Sequence, residues 1–343
     1  MFFTSDNASG AAPEIMAAIT AANAGFAASY GADDLMKTVQ TQIRTIFQAP
    51  DAAVYLVATG TAANALALSV YCPPWTSVFA HEDAHIALDE CGAPEFYSGG
   101  AKMIGVDGAH GKMTPDTLTQ AVDRIGQSGV HGVQRGMVSI TNVTEAGTVY
   151  TPAEVAALTA VSKSYGLPCH LDGARFTNAL TATNASAADM TWAAGIDILS
   201  FGGTKNGCLG VEAVVIFDPA KAWEFELRRK RGGHLFSKHR FLSAQMHAYL
   251  TDDLWLRLAR HANAMGARLA RGLVAKPGVQ MLHPVAANMM FPEWNAGTHA
   301  LLQNNGAAYY PMAAEPGRES ARLVTSWSTK PEDVDRFLDA IPA

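Results

Sequence analysis

Cysteine is scarce in this 343-residue chain: Cys72, Cys91, Cys169 and Cys208 lie far apart, and no CxxC pair occurs. That excludes a disulfide-built scaffold and leaves four reduced thiols, each expected to pack in the core. Charge is sparse too, at 16% of residues, with 25 basic against 31 acidic side chains and a net charge of −6. Basic residues are not in excess, so the electrostatic footprint of a nucleic-acid binder is missing. No run of about 18 apolar residues is free of polar interruption, so no transmembrane helix is expected. The opening MFFTSDNASG has neither a basic n-region nor a long apolar stretch, so no signal peptide is expected either. Together these absences lead us to expect a cytoplasmic protein. Internal repeats, low-complexity tracts and charge blocks are also missing.

What is present is a hydrophobic fraction of 49%, ample for one large domain and a smaller one. Short apolar runs recur: VYLVATG (54–60), SVFAH (77–81), AKMIGV (101–106), GMVSITNV (136–143), LPCHLD (167–172), IDILSFGG (196–203) and EAVVIFD (212–218). Helix-like stretches lie among them at 61–71, 84–92, 115–126, 152–165 and 186–194, some opened by TPDT- or TPAE-type caps. Buried strands separated by helices predict an α/β fold with a mostly parallel sheet. After about residue 220 the pattern changes. A basic segment, ELRRKRGGHLFSKHR, leads into a helical stretch at 240–273, followed by candidate strands near 278–283, 285–291 and 320–327. We expect an N-terminal arm (1–24), a large domain (25–239) and a small C-terminal α+β domain (240–343).

Open α/β sheets bind ligands at the carboxyl ends of their strands. Those exits read ATGTAAN (58–64), AHEDAH (80–85), TNVTEAG (141–147), LDGARF (171–176) and FGGTKNG (201–207). Lys205 follows an apolar strand between glycines without Walker A spacing. It reads as an ordinary loop lysine or as a desolvated, nucleophilic amine that forms a Schiff base. Asp172 ends a buried strand and needs a cationic or hydrogen-bonding partner. Either Arg175 or a pyridinium nitrogen would serve, the latter strengthening the electron sink of a pyridoxal cofactor. Arg175 can equally clamp a carboxylate. Gly60 lets the backbone turn closely and Thr61 opens a helix, whose first amides favour an anion such as phosphate. Each signal is weak by itself; their shared sheet edge is what makes the combination specific.

These pieces resemble the threonine aldolases, pyridoxal-phosphate enzymes of the aspartate-aminotransferase-like fold (fold type I). The matching segments are SDN (5–7), YGADD (30–34), TGTAAN (59–64), AHEDAH (80–85), HLDGARFTNA (170–179), TKNG (204–207) and ARLVTSW (321–327). The resemblance is nearest to low-specificity L-threonine and phenylserine aldolases. It implies a large domain with a mostly parallel seven-stranded sheet, pyridoxal 5'-phosphate as cofactor, and a homo-oligomer with shared sites, a dimer or tetramer. Lys205 matches the lysine that bonds the cofactor, preceded here by Thr204 where the family commonly has Ser. Asp172 matches the acid at the pyridine nitrogen, with Ala174 beside it under the ring, and Gly60 and Thr61 match the phosphate turn. His85 matches the histidine stacked on the ring near the substrate hydroxyl, and His131 a second histidine near the substrate side chain. Arg175 and Arg322, assisted by Ser5, match the substrate-carboxylate site. Tyr30 matches a residue contributed across the dimer interface. In the altered basic loop, Arg229 or Lys238 is the candidate for the phosphate of a neighbouring subunit. Thr144 and Glu145 stand where many relatives carry His and Asn.

The implied reaction is retro-aldol cleavage of L-threonine, L-allo-threonine or phenylserine to glycine and an aldehyde, with His85, or a water it holds, taking the β-hydroxyl proton. A β-eliminating lyase on the same scaffold is the alternative. A remote third comes from His81, Glu82 and His85, whose HExxH spacing is that of a zinc protease helix. The metzincin continuation is missing at Leu88 and Cys91, and His81 leaves an apolar run that reads as a strand, so no metal site is expected. On this reading His81 is a structural strand-end residue and Glu82 a first-turn acid.

Overall fold

A computed structural model describes residues 1–341. All seven apolar runs form strands: β1 (Ala53–Val57), β2 (Thr76–His81), β3 (Lys102–Val106), β4 (Gln134–Thr141), β5 (Cys169–Gly173), β6 (Ile198–Gly202) and β7 (Glu212–Ile216). They make one sheet in the order β1-β7-β6-β5-β4-β2-β3. The pairings from β3 through β2, β4 and β5 to β6 are parallel, while β7 runs antiparallel to both β6 and β1. Every strand but β7 thus presents its carboxyl end at one edge. Strands β5, β6 and β7 are buried at every position, which is why they read as unbroken apolar runs rather than alternating ones. One helix, Gly60–Tyr71, is buried continuously from Ala62 to Val70. Its alanines let it lie close to the sheet, bringing its first turn to the strand exits.

The helices depart from expectation in three places. The 84–92 stretch is helical only over His85–Leu88, because Cys91 (φ 51°) and Gly92 (φ 71°) turn left-handed. Most of 186–194 is turn, closing in a 3-10 helix at Trp192–Ala194; the helix after β5 is instead Phe176–Thr183. The 240–273 stretch is two helices, Arg240–Leu250 and Leu254–Val274, divided where Asp252 and Asp253 adopt φ 50° and 54°. Leu242, Met246 and Tyr249 of the first pack into a core of the seven-stranded sheet, whereas Leu269 and Leu273 of the second pack into a separate core.

That separate core lies under a five-stranded antiparallel sheet of β8 (Gln280–Met281), β9 (Met289–Met290), β10 (Pro292–Asn295), β11 (Tyr310–Met312) and β12 (Arg318–Val324). The sequence does not announce β10, which opens on a proline, or β11, whose three residues are all exposed and carry no burial pattern. The N-terminal arm is stitched to this domain. The Phe3 amide donates to Ala308, the Val324 amide donates to the Phe3 carbonyl, and the fully buried Phe3 ring packs edge-on against Phe337. This anchorage carries residues 5–7 to the edge of the large sheet.

Candidate active site

A cavity of about 250 Å³ opens at that edge. The turn after β1 contributes Thr59, Gly60 and Thr61, and the exit of β2 contributes His85. The exit of β4 adds Glu145, that of β5 adds Asp172, Ala174 and Arg175, and that of β6 adds Thr204 and Lys205. Asn7 enters from the N-terminal arm and Glu212 from the start of the antiparallel β7.

The helix cap is Thr59, one turn position earlier than expected: its side chain accepts from the Ala62 amide, and Gly60 is the first helical residue. The first amides of the helix have no intrahelical acceptor and face an anion favourably. A Cβ built on Gly60 would meet nothing within 4 Å, so the space beside them is open.

Asp172 is buried and held from two sides: its Oδ1 accepts from the Ala174 amide (3.1 Å) and its Oδ2 from the Asn64 side chain (3.0 Å). Asn64 also donates to Glu90 (2.9 Å), and Glu90 accepts from His85 Nδ1 (2.9 Å). A chain Asp172–Asn64–Glu90–His85 therefore lines one wall. The Glu90 hydrogen bond raises the His85 pKa above its ordinary value, against the opposing effects of burial and of Lys205. Asn64 Oδ1 and Glu90 Oε2, both buried, have no partner among the described residues.

Arg175 does not pair with Asp172. Its Nε and Nη2 grip Asp6 of the N-terminal arm at 2.7 and 3.0 Å. Burial opposes the charges, but the ion pair prevails: Asp6 is held below its ordinary pKa and Arg175 above. One edge of the guanidinium is thus taken, and the Nη1 edge is left for a second carboxylate. Glu212 sits beneath Lys205, accepting from the Gly203 amide (2.7 Å), and burial pushes its pKa up to about 7.

Of the residues expected in the site, Lys205, His85, Gly60, Thr61, Asp172, Ala174, Arg175 and Thr204 line this cavity. Others stand outside it. Ser5 caps the turn Asp6–Ala8. Arg322 on β12 donates to the Thr4 carbonyl (3.3 Å) and lies over the Tyr310 ring. His131 is exposed on the turn before β4, at the opposite end of that strand. Tyr30 is exposed beneath Lys230, and Lys238 is exposed as well. Arg229 is buried behind β1, donating to the Leu56 carbonyl and covering the Tyr55 ring. Sequence reasoning missed Asp6, Asn64, Glu90 and Glu212 as members of the site. The only signal for Asn64 was a polar residue following Ala62 and Ala63 at the end of TGTAAN.

The zinc-helix reading fails on geometry. His81 is the last residue of β2, and both its ring nitrogens serve backbone groups: Nε2 donates to the Gly108 carbonyl (2.8 Å) and Nδ1 accepts from the Asp83 amide (3.1 Å). His85 opens a separate helix and is tied to Glu90, so the two histidines share no helical face. Glu82 lies in the turn between, not in the first turn of a helix.

Residues 3–295 match the beta-eliminating lyase family. A low-specificity L-threonine aldolase from a Pseudomonas species is 42% identical over 96% of this chain and 93% of its own length. The chain belongs to the beta-eliminating lyase family, in its threonine aldolase branch. A second low-specificity L-threonine aldolase of this branch, from Pseudomonas aeruginosa, is 40% identical over 98% of this chain and 95% of its own. The structure of a Leishmania major threonine aldolase superposes with a TM-score of 0.93 at 31% identity, covering 99% of this chain and 98% of that one. The architecture of this beta-eliminating lyase family member is accordingly the aspartate-aminotransferase-like fold, fold type I.

Proposed function

We propose that this protein binds pyridoxal 5'-phosphate and cleaves L-β-hydroxy-α-amino acids to glycine and an aldehyde. The observation that carries the reading is the cavity itself. It brings a lysine, a buried carboxylate already oriented by two donors, and an open helix N-terminus to one sheet edge. Lys205 would hold the cofactor covalently, Asp172 would meet its ring nitrogen, and the amides at Gly60 and Thr61 would take its phosphate. Bound there, the cofactor supplies an electron sink for the pair released from the Cα–Cβ bond.

The chain's own residues do the rest. Arg175 offers its free edge to the substrate carboxylate, and that clamp sets which bond at Cα is presented for cleavage. His85, fixed through Nδ1 by Glu90, directs its other nitrogen at the β-hydroxyl and takes its proton, directly or through a water it holds. The names of the curated relatives support a broad choice of β-substituent, with threonine, allo-threonine and phenylserine as candidates. We further read the protein as a homo-oligomer. Tyr30 and His131, both exposed, lie outside the cavity of their own protomer, as they would if they served a neighbouring one, whereas Arg229 is turned into its own protomer. No helix among the described residues is long and apolar enough to cross a membrane, which agrees with a cytoplasmic setting.

The test is to add pyridoxal phosphate, follow its visible absorption band, and identify the products from L-threonine. Glycine and acetaldehyde support the reading; keto acid and ammonia would mean β-elimination. Lys205→Ala should lose both the protein-bound band and turnover, and a fully active variant overturns the assignment.

A further inference from the structure

The reaction above leaves two acidic side chains of the cavity, Glu212 and Glu145, without a task, and Glu212 is already taken by the Gly203 amide. Glu145 sits in the segment between β4 and the helix Pro152–Ser164. That segment is pinned. The Thr144 amide donates to the Thr148 carbonyl, the Gly147 amide donates to the Thr144 carbonyl, and the buried hydroxyls of Thr144 and Thr148 bond at 2.7 Å. A Cβ at Gly147 would lie 2.4 Å from the Met289 carbonyl, so the small domain presses directly on the turn. The backbone that carries Glu145 is therefore held in place.

Its carboxyl differs from every other carboxyl named in the site. Asp172 accepts from Asn64 and Ala174, Glu90 from Asn64 and His85, Asp6 from Arg175 and Asn288, and Glu212 from Gly203. Glu145 has no hydrogen-bond partner among the described residues. Burial raises its pKa most, Asp172 adds to that, and Arg175, Lys205 and His85 act against it, leaving a net rise. On its other side it borders a small void shared with His81, Asp83 and Tyr150. A carboxylate on a pinned backbone, without a hydrogen-bond partner among the described residues and lining the same cavity as the imidazole that works on the hydroxyl, can take up a proton there. His85 has its Nδ1 taken by Glu90, so a proton received on its other nitrogen must be passed on before the next turnover.

We propose that Glu145 is the terminal acceptor of the substrate's β-hydroxyl proton, which reaches it through His85 or the water His85 holds. The O–H bond of the substrate breaks and an O–H bond on Glu145 forms. The freed pair on oxygen becomes the second bond of the aldehyde carbonyl, while the Cα–Cβ pair goes to the electron sink already described. Glu145 returns to carboxylate by giving its proton to water that enters as the aldehyde leaves, and Cα takes up a proton drawn from the same water to complete glycine, so no proton is gained or lost overall.

This rests on the aldolase reading, so wild type must first yield glycine and acetaldehyde from L-threonine; if it does not, that reading fails and not this one. With the holoenzyme, Glu145→Gln should lower kcat about 100-fold or more with little change in KM, whereas a kcat within about 3-fold of wild type overturns the proposal. Two signatures separate proton transfer from a merely structural role. On the acid side, log kcat/KM should fall with the uptake of two protons in wild type and of one in the variant. Exchange of glycine's α-hydrogen in D2O, which involves no hydroxyl, should continue in the variant, and its Kd for pyridoxal phosphate by fluorescence titration should match wild type. Loss of that exchange together with cleavage, or an unchanged acid limb, overturns the proposal. Should the Gln variant not fold, Glu145→Asp decides: it should retain part of the rate and both proton dependences, and a wild-type rate or a missing limb counts against the relay.

Discussion

Replacing Asp6 by Ala leaves the Arg175 guanidinium buried without its carboxylate. The pair is bidentate, at 2.7 and 3.0 Å, between side chains only 1% and 8% exposed. For charge centres about 4 Å apart in an effective dielectric of about 20, the attraction is about 4 kcal/mol. Removing one member of a buried pair costs about 3–5 kcal/mol, because the other charge stays desolvated and alone. With a urea m-value of about 3 kcal/mol per molar, the unfolding midpoint of the cofactor-free protein should drop by about 1–1.7 M. Circular dichroism and tryptophan fluorescence at pH 7 would read it. The pH dependence is a second check. Burial by itself would raise the Asp6 pKa, but Arg175 and Lys205 hold it below 3.8. A carboxylate depressed in the folded state contributes stability that is complete above its unfolded pKa and lost as pH falls through the folded one. The gap between wild type and Asp6→Ala should therefore stay flat from pH 8 to 5 and close only in strong acid. A midpoint drop under about 0.3 M, or a gap already closing at pH 5, would refute the reasoning.

Other substitutions test neighbouring links. Glu90→Gln removes the chief cause of the raised His85 pKa, so the His85 ring should titrate at lower pH in an NMR titration; an unmoved value would show that Glu90 does not hold the ring. Glu212 is an acid whose folded pKa of about 7 lies above its ordinary 4.5. Its contribution to stability is present below pH 4.5 and lost as pH rises through 7. Glu212→Gln should thus gain on wild type between pH 5 and 8 in urea titrations of the cofactor-free protein, and a constant difference would count against the buried acid.

Particular residues show how far the sequence could be read. The strands were legible because a strand buried on both faces must be apolar throughout, as β5, β6 and β7 are. Lys205, Asp172 and Gly60 were legible as site residues because they interrupt such runs where strands end. The kinks were not. Only the left-handed turns at Asp252 and Asp253 separate two helices that a continuous apolar pattern joins. The partner of Arg175 was not legible, because the nearest acid in sequence, Asp172, is occupied by Asn64 and Ala174, while Asp6 arrives from 169 residues away. Glu145 was legible only as a departure from its relatives; its lack of hydrogen bonds is visible once every neighbouring carboxyl is seen to have one.

The sequence by itself determined the strand-and-helix grammar, the sheet edge at which chemistry would gather and the residue types that could perform it, because periodicity and burial leave their mark on local composition. Only the tertiary structure decided the pairings. It settled which acid neutralises Arg175 and which carboxylate accepts from His85. These depend on distances between residues remote in the chain, and a hydrogen bond or ion pair has its strength only at contact.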